Sequence, residues 1–206
     1  MTITRSADVR LGIRIEIISL AWMVVEMAVS IYAGITAGSI LLAAFGIDSL
    51  IEIISGAVLL WRLNGERHAG DLERVERAEK TATWIVAVLL ALLCLYVLVT
   101  AVSGLISQSK PESSIPGIAV SVAAVLFMPY LAVTKRRIAR RIESDALAGD
   151  AAESITCTYM AGTVLVGLLL NALFGWWWIE DVAALVFLVW LGRETWEAFE
   201  EARSAQ

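Results

Sequence analysis

The sequence predicts an all-α fold: a polytopic membrane protein built as a six-transmembrane-helix bundle with both termini cytoplasmic. Three observations carry that expectation. Of 206 residues, 59% are hydrophobic and only 18% are charged, and the mean hydropathy is +0.76, whereas a soluble domain carries about 25% charged residues. Six apolar runs, at residues 15–33, 40–60, 82–106, 115–133, 151–174 and 182–199, each approach the roughly 20 residues needed to cross a bilayer. Finally, all but one of the 16 Lys and Arg residues fall on one side of the threading these runs define, leaving Lys110 alone on the other. Positive charge accumulates on the cytoplasmic side, which places the chain in the cell membrane as a multi-pass protein.

Each element follows from its neighbours. The first run comes after Arg5, Arg10 and Arg14; Asp8, Arg10, Arg14 and Glu16 interrupt the region where a signal peptide would need an apolar core. Glu16 lies near enough to the cytoplasmic face to snorkel or to pair with Arg14. The breaker-rich segment 34–39 then turns the chain into the second run. Arg62, Arg67, Arg74, Arg77 and Lys80 fill a cytoplasmic loop over 62–80, and residues 107–114 form the next outer turn. Residues 135–149, with Lys135, Arg136, Arg137, Arg140 and Arg141, read as a second basic loop. Trp176, Trp177 and Trp178 follow the fifth run at the interfacial depth that indoles favour. A short tail follows the sixth run, so residues 1–206 are expected to be a single transmembrane domain.

Composition excludes several functions. A formal charge of −5 provides no basic footprint for nucleic acid. Two cysteines, Cys94 and Cys157, both in apolar runs, build no disulfide scaffold. The single histidine, His68, falls in the charged loop, and no nucleophile–base pair is present, so the chain does not read as an enzyme.

What remains to be explained is acid inside apolar runs, where an ionisable group costs about 2.5–3.5 kcal/mol at a helix centre. Asp48 and Glu52 stand four residues apart in the second run and so share one helical face. Like charges at that spacing repel, and the pair calls for a cation or a proton. No Lys or Arg lies in the interior of an apolar run, the basic residues all falling at cytoplasmic ends or in loops, which argues against a structural ion pair. Glu153 and Cys157 repeat the four-residue spacing in the fifth run, and both are competent ligands for a divalent transition metal. Asp150 with Glu153 gives an alternative register nearer the cytoplasm. Glu26, in the first run at about the depth of Asp48, is either an accessory ligand, a proton carrier or a hydrogen-bonding partner of a group such as Asn171. Cys94, with no acidic neighbour in sequence, reads as a small packing residue.

Residues 38–52, opening on Gly38 and Ser39 and carrying Asp48-Ser49 and then Glu52, resemble the second helix of the cation diffusion facilitator family. In that family the two acids are ligands of the transport site; Glu52 stands here where an Asp is usual. Residues 149–157 resemble its fifth helix, with Glu153 at the position of a His and Cys157 at that of an Asp. The Arg77-Ala78-Glu79 segment, the basic stretch 135–141, and Gly175-Trp176 with Asp181 extend the likeness across all six runs.

The resemblance implies a secondary transporter that exports a divalent transition metal in exchange for protons; it carries over no metal preference, and ligand softness, a thiolate among carboxylates, puts zinc first and Mn²⁺, Fe²⁺, Co²⁺ or Cd²⁺ next. The metal would be held by Asp48, Glu52, Glu153 and Cys157, with Asp150 and Glu26 as accessories. It also implies a homodimer, and Gly162 and Gly167 offer close helix contacts. The family's cytoplasmic metal-binding domain has no counterpart in these 206 residues, so a short form of the family is expected. The alternative is a membrane protein that binds metal or a partner on the same scaffold without transporting.

Overall fold

A computed structural model describes residues 2–65, 72–108, 111–142 and 144–204. It consists of α1 (Thr2–Ala37), α2 (Ile40–Gly65), α3 (Leu72–Ser107), α4 (Ile115–Ile142), α5 (Asp145–Phe174) and α6 (Ile179–Ser204), with no strand among the described residues. Five of these are long and apolar enough to cross a membrane: Asp8–Ala37, Ile40–Trp61, Trp84–Ser107, Ile115–Ile142 and Leu147–Phe174. The sixth, at 26 residues, exceeds the roughly 20 needed but carries more charge than the others. His68, with Glu66 and Asp71, lies outside the described residues, as does Lys110.

The bundle buries a set of polar side chains within an apolar core and also exposes many large apolar ones on its outside. Along α1, Gly12, Ile15, Glu16, Ser19, Met23, Glu26, Ser30 and Ala33 are buried, a three-and-four spacing that makes one helical face. The opposite face exposes Ile17, Ile18, Val24, Val25, Tyr32 and Ile35. Hydrocarbon outside the bundle favours exposed apolar groups, so burial selects the polar stripe rather than the greasy one.

Turn chemistry fixes the helix ends. Gly38 takes a left-handed backbone (φ 64°) between α1 and α2, and Gly175 does the same (φ 64°) as the C-cap of α5, its N–H bonding to the Asn171 carbonyl. Glycine adopts this conformation without a Cβ penalty. Ser144 N-caps α5 by accepting from the Leu147 N–H. At the end of α5, Phe174, Trp176 and Trp178 stack in series, with centroids 5.0 and 5.6 Å apart.

Close approach of α1 and α2 depends on Gly46, where an added Cβ would stand 2.9 Å from the Ile31 backbone nitrogen. Of the two glycines expected to permit close helix contacts, Gly167 packs against Ala183 and Leu41 within the bundle, while Gly162 has open space beside it.

Two expectations are corrected here. The segment 135–149 is not a loop: α4 runs on to Ile142, and α5 begins at Asp145 with Ser144 as its cap. No breaker occurs between Lys135 and Ile142, and nothing obliges a helix to stop at the bilayer surface. In consequence Lys135 is fully buried, a basic residue inside the bundle after all. Its ammonium pairs with Glu16 at 3.1 Å and Asp150 at 2.6 Å and donates to Ser19 Oγ at 2.8 Å. Glu16 therefore neither snorkels nor pairs with Arg14; it is fully buried in an ionic knot joining α1, α4 and α5. Asp8 and Arg141, 3.7 Å apart at the surface, mark the exposed side of the same seam.

Removing one partner of a buried ion pair leaves an uncompensated charge and costs about 3–5 kcal/mol. Lys135→Met is thus expected to lower thermal stability in detergent strongly. The triple variant Lys135→Met, Glu16→Gln, Asp150→Asn should recover most of the loss in the same melting assay. A single variant as stable as the wild type would contradict the knot.

Candidate cation site

Ten residues towards the outer end of α1 from Glu16, about 15 Å along the axis, Glu26 is fully buried. Both of its carboxylate oxygens accept hydrogen bonds. Ser49 Oγ donates to Oε1 at 2.8 Å and Trp22 Nε1 to Oε2 at 2.8 Å. The Cys157 thiol also points at Oε1, with Sγ at 3.7 Å. Glu26 is therefore anchored by α1 and α2 and faces α5. Asn171, considered as a partner for it, belongs to a different cluster nearer the outer surface.

Glu26, Glu52 and Cys157 each offer a ligand atom, and these three atoms lie within 4.8 Å of one another. Three helices converge here, one ligand from each of α1, α2 and α5. Asp48, one turn from Glu52 towards the outer end, is fully buried, and neither of its oxygens has a hydrogen-bond partner among the described residues. Both oxygens of Glu52, 4% exposed, are likewise without one. Buried polar atoms are nearly always satisfied, so the four orphaned carboxylate oxygens of Asp48 and Glu52 call for a partner such as a cation or protons.

The expected ligands are distributed as follows. Glu52 and Cys157 belong to the tight cluster and Asp48 adjoins it. Glu153 lies one turn below Cys157, half-buried, at the cytoplasmic edge. Asp150 is held by the Lys135 ammonium at 2.6 Å, which competes directly with any metal for that carboxylate. Glu26 occupies the position in the cluster that sequence spacing had offered to Glu153. Spacing along α2 and α5 could not reveal this, because Glu26 stands alone in its helix.

Sequence reasoning passed over Glu194. It is 8% exposed, its Oε2 has no hydrogen-bond partner, and it feels the charges of Asp48 and Glu153. The signal was available: Arg193-Glu194 interrupts an otherwise apolar run. Cys94 proves half-buried and in contact with Thr195 Oγ1, 3.3 Å from its Sγ, which ties α3 to α6.

The site is closed at both ends. Towards the cytoplasm lies the Glu16–Lys135–Asp150 knot. At the outer end Ser39 Oγ donates to Glu180 Oε2 at 2.5 Å, and Asn171 Nδ2 donates to Glu180 Oε1 at 2.6 Å and to the Pro111 carbonyl at 3.2 Å. The Glu112 N–H bonds to the Ala37 carbonyl at 2.8 Å. These contacts clasp α1, α2, α5, α6 and the turn before α4.

A bundle with exposed apolar surfaces around buried carboxylates and a thiol defines a polytopic membrane protein with a candidate cation site inside it. Residues 17–205 match the cation efflux transmembrane domain family, and the chain belongs to that family, as the second-helix resemblance implied. It is 25% identical over 191 residues to the manganese efflux system protein MneS of Bacillus subtilis, covering 90% of this chain and 65% of that protein. With the cation-efflux pump FieF of Cronobacter sakazakii it shares 25% identity over 171 residues, 80% of this chain and 56% of the relative. An uncharacterized transporter of Synechocystis is 24% identical over 179 residues, 85% and 58% of the two chains. The chain thus spans roughly six-tenths of the length of these curated relatives.

Cobalt makes the thiol's role directly visible. Titrating purified protein with Co²⁺ is expected to produce a sulfur-to-cobalt charge-transfer band that Cys157→Ser abolishes, whereas Cys94→Ser leaves it intact. A band that survives Cys157→Ser would remove the thiolate from the site.

Proposed function

We propose that the chain is a secondary active transporter that exports a divalent transition-metal cation from the cytoplasm in exchange for protons. Zinc is the first choice of cargo. The observation that carries the proposal is the cluster of Glu26, Glu52 and Cys157 ligand atoms within 4.8 Å, flanked by the unpartnered oxygens of Asp48. Alternating access operates at this carboxylate and thiolate site between α2 and α5, with Glu26 of α1 closing its third side. Glu153 receives the ion at the cytoplasmic edge.

Chemistry supports the exchange. Carboxylates and a thiolate bind metal only when deprotonated, so metal entry expels protons. After the metal leaves, the same oxygens lose their counter-charge in a medium that penalises bare carboxylates, and they take protons from the outside. The ion and the protons thus compete for one set of atoms, which is what coupling requires.

Ligand softness supports the choice of cargo. A thiolate favours Zn²⁺ or Cd²⁺ over Mg²⁺ or Ca²⁺, while carboxylates alone suit Mn²⁺, Fe²⁺ and Co²⁺ about as well. The two closures described above give alternating access its physical form: the outer clasp and the cytoplasmic knot must open in turn and never together. A homodimer belongs to this reading too, and native mass spectrometry of the detergent-solubilised protein tests it.

Reconstituted vesicles carrying a pH dye inside provide the main test. A Zn²⁺ gradient is expected to drive counter-flow of protons through the wild-type protein, and Asp48→Asn should abolish both fluxes. Intact flux in Asp48→Asn would overturn the transport site. Metal binding without flux in the wild type would identify a non-transporting binding protein instead. Cys157→Ala is expected to keep flux but to lose the preference for Zn²⁺ and Cd²⁺ over Mn²⁺, read from competition in the same vesicles.

A further inference from the structure

The two carboxylate oxygens of Glu26 are held in different ways. Oε1 faces α2 and α5, with Ser49 Oγ at 2.8 Å and Cys157 Sγ at 3.7 Å. Oε2 is turned back along its own helix to Trp22 Nε1, at 2.8 Å. Trp22 stands four residues before Glu26, so the two side chains rise from one face of α1. The front oxygen thus meets the neighbouring helices, and the rear oxygen meets an indole.

The two donors are not equivalent. A serine hydroxyl has one hydrogen, and Ser49 Oγ has a second acceptor within reach, the Phe45 carbonyl at 3.0 Å. Ser49 can therefore release Oε1 to a cation without leaving its hydrogen unpaired. An indole N–H only donates, so it fixes Oε2 as an acceptor whatever happens at the front. The indole is braced in turn by α4. Its ring meets that of Phe127 edge to face, with centroids 5.3 Å apart and planes at 62°. The setting of Glu26 is thereby tied to a helix that supplies none of the clustered ligand atoms.

We infer that Trp22 is a positioning residue of the cation site: its indole N–H grips Oε2 of Glu26 and presents Oε1 to the cluster that Glu52 and Cys157 complete. Trp22 itself does not touch the ion. A glutamate side chain has several staggered rotamers, and without the indole Oε2 would be left unpaired in the bundle interior. Such an oxygen favours another rotamer or a protonated carboxyl over a ligand. The seam between α1 and α4 thus acts on the site through one hydrogen bond. The inference deepens the transport reading and rests on it, since it requires Glu26 to be a ligand.

Co²⁺ titration of the full-length protein tests the assignment in wild type, Trp22→Phe, Glu26→Ala and the double variant. Phenylalanine keeps an aromatic ring beside Phe127 and removes the donor. Loss of a group that orients a metal ligand weakens binding about tenfold or more, and Trp22→Phe is expected to do so. At saturation the cobalt d–d bands, which report ligand geometry, should shift, while the Cys157 charge-transfer band persists and shows that the site is folded. In the Glu26→Ala background, Trp22→Phe should weaken binding by less than about twofold, because a residue acting through Glu26 has nothing left to act on. A tryptophan that merely packs the seam would have its full effect in both backgrounds, and that additivity would overturn the assignment. Unchanged affinity in Trp22→Phe, with affinity lost in Glu26→Ala, would also overturn it and leave the cation site standing. Wild-type affinity in Glu26→Ala would instead remove Glu26 from the site, and with it the reading on which the inference rests.

Discussion

A carboxylate inside hydrocarbon must find compensation or lose its charge, and the interior of this bundle is organised around that requirement. The acids meet it in three different ways at three depths. Near the cytoplasm, Glu16 and Asp150 share one buried ammonium. At the outer end, Glu180 accepts from Ser39 and Asn171. Between them, Asp48 and Glu52 have no donor among the described residues. Internal contacts compensate the acids at the two ends, and in the proposed function an ion or protons supply what the middle lacks.

The pattern also explains why the helices assemble. Without a hydrophobic drive between them, membrane helices associate through packing and polar contacts. The knot binds α1 to α4 and α5, the clasp binds α2 to α5 and α6, and the Cys94–Thr195 contact binds α3 to α6. Close approach at Gly46 brings α1 against α2, which sets Ser49 within hydrogen-bonding distance of Glu26. Packing and site geometry are therefore one problem: a shift at the seam moves a ligand.

An arrangement with compensated ends and an uncompensated centre suits the proposed transport cycle. The cargo is the missing counter-charge, so its arrival changes the electrostatic balance of the centre without touching either closure. Opening an end costs the contacts that hold it, and those contacts are few and polar. Lys135 has a particular place here, because its one ammonium compensates both Glu16 and Asp150.

The sequence by itself determined the membrane setting and the helix order, and it singled out Asp48, Glu52 and Cys157 as candidates and an orientation as an expectation. These follow from hydropathy, from charge asymmetry and from four-residue spacing, all of which are local along the chain. Tertiary structure alone decided which acids meet. Glu26 and Glu194 stand singly in α1 and α6, so no spacing rule reports on them until helix packing fixes the face each presents. Lys135 was assigned to a loop because the apolar run ended before it, yet α4 continued and turned its side chain inward towards Glu16 and Asp150. Periodicity tells which residues share a face of one helix; which faces share an interior depends on contacts between residues more than a hundred positions apart, and those are settled only when the six helices pack.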